Sequence, residues 1–173
     1  MKNMVNWFRF IAFMAIIGFS VIGCNLEDDN PYEKKFAFTE NRHTYAVINK
    51  SMSWTDAKRE CEKHGGYLVT ITSSAEQTFI ENLLNQKGDK NTYWIGGYCE
   101  SDRQFKWVTS EPFEYANWGI GEPNNQGGSE DKIQILRISY DSTNSRGTWN
   151  DENNAINDAD AWWSSRGFVC EWN

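Results

Sequence analysis

The spacing of apolar residues predicts two helices in the first half of the chain. Trp54, Ala57 and Cys61 recur at intervals of three and four, which places them on one helical face. Ser53 stands just before them and Asp56 three residues after that serine, the arrangement of an N-cap with its acidic partner, and Gly65 and Gly66 supply the stop. A second pair, Ser73 with Glu76, opens an apolar stripe of Phe79, Ile80, Leu83 and Leu84. Short β-type runs at residues 45–49 and 67–72 precede and separate these helices.

Beyond residue 90 the helical period is gone. Gly, Asn, Asp and Ser separate short runs at 93–95, 105–108, 133–140 and 167–172, and in the last of these Phe168, Cys170 and Trp172 alternate with Val169 and Glu171 as a strand requires. The order is therefore two helices followed by strands and loops, an α+β chain without internal repeats. Its long irregular middle, around residues 112–133, exceeds an ordinary connection and is marked by its length as either functional or disordered.

The N-terminus reads as an address. Lys2 and Arg9 form a basic start, and the apolar run from Phe10 to Ile22 is too short for a bilayer span of roughly 20 residues, as in an export signal. Its end, Val21-Ile22-Gly23-Cys24, resembles the lipobox of bacterial lipoprotein signals. That resemblance implies a signal peptide over 1–23, lipidation of Cys24, and an exported protein held to a bacterial cell envelope by lipid alone. Residues 24–39 are acidic and carry Pro31, as a flexible tether does, leaving 40–173 as the domain.

Composition narrows the chemistry. Against 24 Asp+Glu there are 17 Lys+Arg, a net charge of −7 over 173 residues, and no basic run exists to track a nucleic-acid backbone. Nine Trp, ten Phe and seven Tyr are too much aromatic surface to leave in water, so a compact core is expected. Two histidines leave little room for zinc or triad chemistry; His43 reads as a strand-edge residue and His64, beside Gly65, as a helix-end one. With Cys24 lipidated, Cys61, Cys99 and Cys170 remain, and at most one disulfide can form. A Cys61–Cys170 bridge would close a loop of about 110 residues, worth roughly 4 to 5 kcal/mol by chain entropy, but the count alone leaves Cys99 open as a partner.

Within the irregular middle, Glu122-Pro123-Asn124-Asn125-Gln126 and Glu130-Asp131 are followed by Trp149-Asn150-Asp151. These are oxygen donors only, which suits a hard cation such as Ca2+ and not zinc. Glu122, Glu130 and Asp151 with the amides of Asn124 and Asn150 would offer five side-chain oxygens and a charge that overbalances a divalent ion.

The same residues resemble the EPN, ED and WND signatures of C-type lectin domains, in order and at compatible spacing. Trp54 to Cys61 is similar to that family's first helix, Trp94-Ile95-Gly96 to its WIG motif, Tyr115, Asn117 and Trp118 to the lead into EPN, and Phe168-Val169-Cys170-Glu171 to its closing strand. The resemblance spans about residues 43–173. It implies a C-type lectin-like fold, with two helices flanking small antiparallel sheets and a long calcium-binding loop region, and a Cys61–Cys170 disulfide. It implies a principal calcium at Glu122, Asn124, Glu130, Asn150 and Asp151, a cis bond before Pro123, and an auxiliary calcium using Asp102, Asn125 and Asp131, with Glu130 and Glu100 in reach. It further implies that glycans with adjacent equatorial hydroxyls complete the principal sphere, in the mannose, fucose and N-acetylglucosamine class that goes with the EPN order.

Several positions depart from the family pattern. Lys132 stands where one cysteine of an inner disulfide would be, Gly97 where Leu usually follows WIG, Cys99 has no counterpart, and Trp162 with Trp163 lies in an insert that offers either a sugar wall or core. Two further function classes set against the lectin reading are a module of the same fold that binds a protein or surface polymer, and a glycosidase built on paired carboxylates. Metal ligation would depress the carboxylate pKa values and remove the proton donor a glycosidase needs, which weighs against an enzyme.

Overall fold

A computed structural model describes residues 30–155 and 165–173. The expected signal segment, Cys24, Trp162 and Trp163 lie outside the described residues. In chain order the elements are β1 (Phe36–Ala37), β2 (Thr44–Ile48), α1 (Trp54–Lys63), β3 (Tyr67–Leu68), α2 (Ser74–Lys87), β4 (Thr92–Cys99), β5 (Phe105–Trp107), β6 (Lys132–Leu136), β7 (Trp149–Glu152) and β8 (Arg166–Trp172).

The strands form a single sheet in the order β1-β2-β8-β4-β6-β7, with β3 on β8 and β5 on β4. The small antiparallel sheets expected are joined into this one mixed sheet, because β4 and β8 at its centre run parallel, with Trp94 beside Phe168. The closing strand β8 pairs with β2 along its length, with β3 at Glu171 and Cys170, and with β4 from Arg166 to Phe168. It therefore stitches the N-terminal half to the loop-bearing half.

The alternation read in β8 sorts the core into two clusters. Phe168, Cys170 and Trp172 pack with Trp54, Ala57 and Cys61 of α1, whereas Val169 joins Ile80, Leu83 and Leu84 of α2. Both helices thus bury the stripe predicted for them, one on each side of the strand. Ser53 and Ser73 are the N-caps, accepting from the amides of Asp56 and Glu76. The Glu76 carboxylate does not return to its own cap: it accepts from Thr72 N at 2.9 Å and from the Tyr45 hydroxyl at 2.6 Å, tying α2 to β2.

Cys61 and Cys170 are joined, 109 residues apart, and Cys99 is free and buried. His64 caps α1 and stacks on Tyr32, while His43 lies 2.5 Å from the buried Glu171. The tether expected over 24–39 is in part folded: Phe36–Ala37 pairs with β2, and Tyr32 is buried against His64. The acidic, proline-marked composition hid these two aromatic anchors.

At Gly97 a side chain has no room. A methyl there would lie 2.7 Å from Ile133 Cγ1, so Ile133 of β6 fills the volume that the usual Leu would take. Where an inner disulfide is missing, charged groups bridge the strands instead. Arg166 of β8 meets Glu152 of β7 at 3.1 Å, both largely buried, with its guanidinium over Trp94. Lys132 pairs with Asp131 at 2.7 Å and lies over Trp54 at 5.0 Å.

Candidate functional site

The site rests on a hub of aromatic rings. Trp149, fully buried at the start of β7, meets Trp107, Phe113, Tyr115 and Trp118 edge-on with centroids 5.6 to 6.3 Å apart. Its indole N–H donates to Gln77 Oε1 of α2 at 2.9 Å, and Gln77 Nε2 donates to the Gly147 carbonyl at 2.7 Å. Backbone bonds from Gly119 N to Trp149 O and from Trp149 N to Asn117 O then dock the incoming loop on β7. Asn150 and Asp151 follow directly, their register held by Gln134 and Ile133 of β6. β7 was missed as a strand because its side chains after Trp149 are polar site groups, not an apolar alternation.

The loop from Gly119 then folds back on Asp151. The Glu122–Pro123 bond is cis. Three successive amides point at carboxylates: Asn124 N donates to Asp151 Oδ1 at 2.8 Å, Asn125 N to Asp151 Oδ2 at 3.0 Å, and Gln126 N to Glu130 Oε2 at 2.6 Å. Asn124 Nδ2 donates to Glu122 Oε1 at 3.0 Å, and Asn150 Nδ2 to the Asp151 carbonyl at 2.6 Å. Glu122, Asn124, Glu130 and Asn150 line one cleft of about 570 Å³, with Asp151 fully buried beneath.

The electrostatics of this cluster are strained. Burial, and then the neighbouring Asp151 carboxylate, push Glu122 up to about 7; burial, and then the charges of Asp151, Glu152 and Glu122, do the same to Glu130, even against the Gln126 amide. Anionic groups crowded in this way are what a divalent cation relieves. No three Asp, Glu, His or Cys side chains gather at metal-holding distance among the described residues, so a cation there must also draw on the amide oxygens of Asn124 and Asn150. An all-oxygen set of carboxylates and amides fits calcium.

The residues expected to hold an auxiliary ion are differently engaged. Lys106 reaches Glu100 at 3.2 Å and Asp102 at 3.8 Å, Lys132 holds Asp131, and Asn125 Oδ1 accepts from Glu130 N at 3.1 Å. Among them stands Arg103, which the sequence reading passed over; its guanidinium meets Asp151 Oδ2 at 2.8 Å and donates to the Glu130 carbonyl. Its position directly after the acidic stretch from Glu100 to Asp102 was the available signal.

Tyr140 and Asn144 were also missed. They line the same cleft from the loop after β6, and the Asp141 carboxylate shapes that loop by accepting from the Thr143 hydroxyl and the amides of Thr143 and Asn144, bonds that hold it down at about 2. Tyr140, half exposed, was read as a strand end because Leu136, Ile138 and Tyr140 alternate with Arg137 and Ser139 as a continuing strand would.

A two-helix α+β module that presents an oxygen-lined cleft on an irregular loop defines a class of ligand-binding domain. The chain belongs to the C-type lectin family: residues 50–171 match its domain, described as Lectin C-type domain. It is 38% identical to ladderlectin of Oncorhynchus mykiss over 63% of this chain and 55% of that protein, so it spans little more than half that relative's length. Among solved structures, the carbohydrate-recognition domain of cow CD23, crystallised in the presence of GlcNAc2Man3 oligosaccharide, superposes with a TM-score of 0.62 at 27% identity, covering 81% of this chain and 93% of that one. The C-type lectin domain of murine dendritic cell inhibitory receptor 2, in complex with N-glycan, gives 0.61 at 28% identity, covering 80% and 95%.

Proposed function

We propose that this protein binds carbohydrate through calcium held by Glu122, Asn124, Glu130, Asn150 and Asp151, and that it does so as a binding module and not as an enzyme. The observation that carries the reading is the convergence of four oxygen-bearing side chains on one open cleft above a buried fifth, with Glu122 and Glu130 pushed up to about 7, first by burial and then by the neighbouring carboxylates. Bound there, calcium accepts a lone pair from each of two adjacent sugar hydroxyls. The chain's own groups then divide the remaining work: Glu122 and Glu130 accept the two hydroxyl protons, and the amides of Asn124 and Asn150 donate to the hydroxyl oxygens. The order Glu122-Pro123-Asn124 supports the class with adjacent equatorial hydroxyls, such as mannose, fucose and N-acetylglucosamine.

Tyr140 gives the cleft an aromatic wall, and pyranose C–H faces pack on such rings. Retention on a mannose matrix, release by chelator, and indifference to galactose are the expected behaviour. Retention that survives chelator, or that galactose alone reverses, would overturn the reading. Tyr140→Ala is expected to weaken sugar retention several-fold with calcium affinity unchanged, and equal retention would remove Tyr140 from the site.

The ending Val21-Ile22-Gly23-Cys24 supports export and a lipid anchor at Cys24 on a bacterial cell envelope. Weak single-sugar sites then gain from dense display on a membrane. An unmodified Cys24 in the mass spectrum of the mature protein would contradict the anchor.

A further inference from the structure

We infer that Arg103 is a built-in cation that does the work of a second metal ion, locking Asp151 and the 122–131 loop in place before calcium arrives, so that no auxiliary calcium is bound. The inference deepens the proposed site and rests on that reading only for the principal ion.

Asp151 is fully buried, and a buried carboxylate without a compensating charge is strongly disfavoured. Its Oδ2 accepts from Arg103 at 2.8 Å and from Asn125 N at 3.0 Å, while Oδ1 accepts from Asn124 N at 2.8 Å. Each oxygen offers about two lone-pair sites, so these bonds fill Oδ2 and leave Oδ1 about one. Arg103 also donates to the Glu130 carbonyl, so one planar guanidinium bridges β7 to the far end of the loop. A lysine, with a point charge, cannot span both acceptors as a fork does.

A second depression, apart from the principal cleft, is lined by Glu100, Arg103, Asn125 and Asp131. Four carboxylates in and around it already have a cationic neighbour: Lys106 for Glu100 and Asp102, Lys132 for Asp131, Arg103 for Asp151. The positive charge an auxiliary ion would bring is present as side chains. Arg103 has φ +57, and its guanidinium lies 5.6 Å from the ring of Phe105 on β5.

The test compares the wild-type protein with Arg103→Gln and Arg103→Lys. In chelator, amide hydrogen exchange at Asn124 and Asn125 should be slow in the wild type and roughly ten- to a hundredfold faster in Arg103→Gln, the span expected from losing one charge-assisted hydrogen bond. Arg103→Lys should restore part of the protection, which a purely space-filling role would not predict. Native mass spectrometry with added calcium should show one ion per wild-type chain. Equal exchange in wild type and Arg103→Gln, or two calcium ions per wild-type chain, would overturn the inference. Protected amides with no calcium bound at all would instead sink the proposed function and leave the role of Arg103 standing.

Discussion

Replacing Gln77 by Met tests whether α2 holds the site from behind. Gln77 is buried, and Met matches its length and volume, so packing changes little. Of its partners, the Gly147 carbonyl still accepts from Asn117 Nδ2 at 2.9 Å, and Glu81 is partly exposed and regains water. Only the Trp149 indole N–H, which donates to Gln77 Oε1 at 2.9 Å, is left buried without an acceptor. An orphaned buried donor costs about 1 to 3 kcal/mol. At 2 to 4 °C per kcal/mol for a chain of this size, a loss of about 2 kcal/mol lowers Tm by roughly 4 to 8 °C.

Trp149 leads directly into Asn150 and Asp151, so calcium affinity should fall several-fold with it. A double-mutant cycle with Trp149→Phe, read by thermal and urea unfolding, isolates the bond. In the Phe background Gln77→Met should cost nearly nothing, giving a coupling of about 1 to 2 kcal/mol. An unchanged Tm in the single variant, or the same loss in both backgrounds, would refute the buttress.

Gly97→Ala should destabilise by about 1 to 3 kcal/mol through overlap with Ile133, and Ile133→Val, which removes the Cδ1 nearest the new methyl, should recover part of that in urea unfolding; additive effects would contradict it. Burial first of all pushes Glu171 up to about 7 from 4.5, so the folded state keeps a proton that the unfolded chain releases. Its contribution is therefore full below about 4.5 and lost as pH rises through 7, and Glu171→Gln should gain Tm over the wild type between those values. A gain that shrinks with rising pH would show the His43 contact dominating instead. Because Glu122 and Glu130 sit near 7 without a metal, calcium uptake at pH 7 should release protons and weaken as pH falls toward 5, seen as a binding heat that varies with buffer ionisation; no buffer dependence would count against both carboxylates as ligands.

Both helices were legible because cap and stripe are local signals, and β8 because its two faces meet two different cores. β3 falls within the run read at 67–72, although only Tyr67–Leu68 pairs, whereas β7 was not legible, since a polar motif carries no period. The N-terminal anchor Tyr32 and strand Phe36–Ala37 were hidden because only tertiary contact with His64 and β2 orders them. The ordered motifs marked Glu122, Asn124, Glu130 and Asn150, which line the cleft, and Asp151, which lies beneath them. Arg103 and Tyr140 escaped because each acts through a contact made across the fold, 48 residues from Asp151 for Arg103 and through a separate loop for Tyr140. Gln77 escaped for the same reason, being a polar residue on a helix whose stripe was read only for apolar side chains.

Calorimetric titration of calcium into the metal-free protein, followed by mannose into both the loaded and the metal-free forms, tests the central claim most directly, with Asn150→Asp as the comparison. Calcium heat at one site and sugar heat only when calcium is present, both lost in the variant, are the predicted result. Calcium heat without sugar heat would point to a protein or polymer ligand on the same fold, and sugar heat undiminished in the metal-free form would contradict the account.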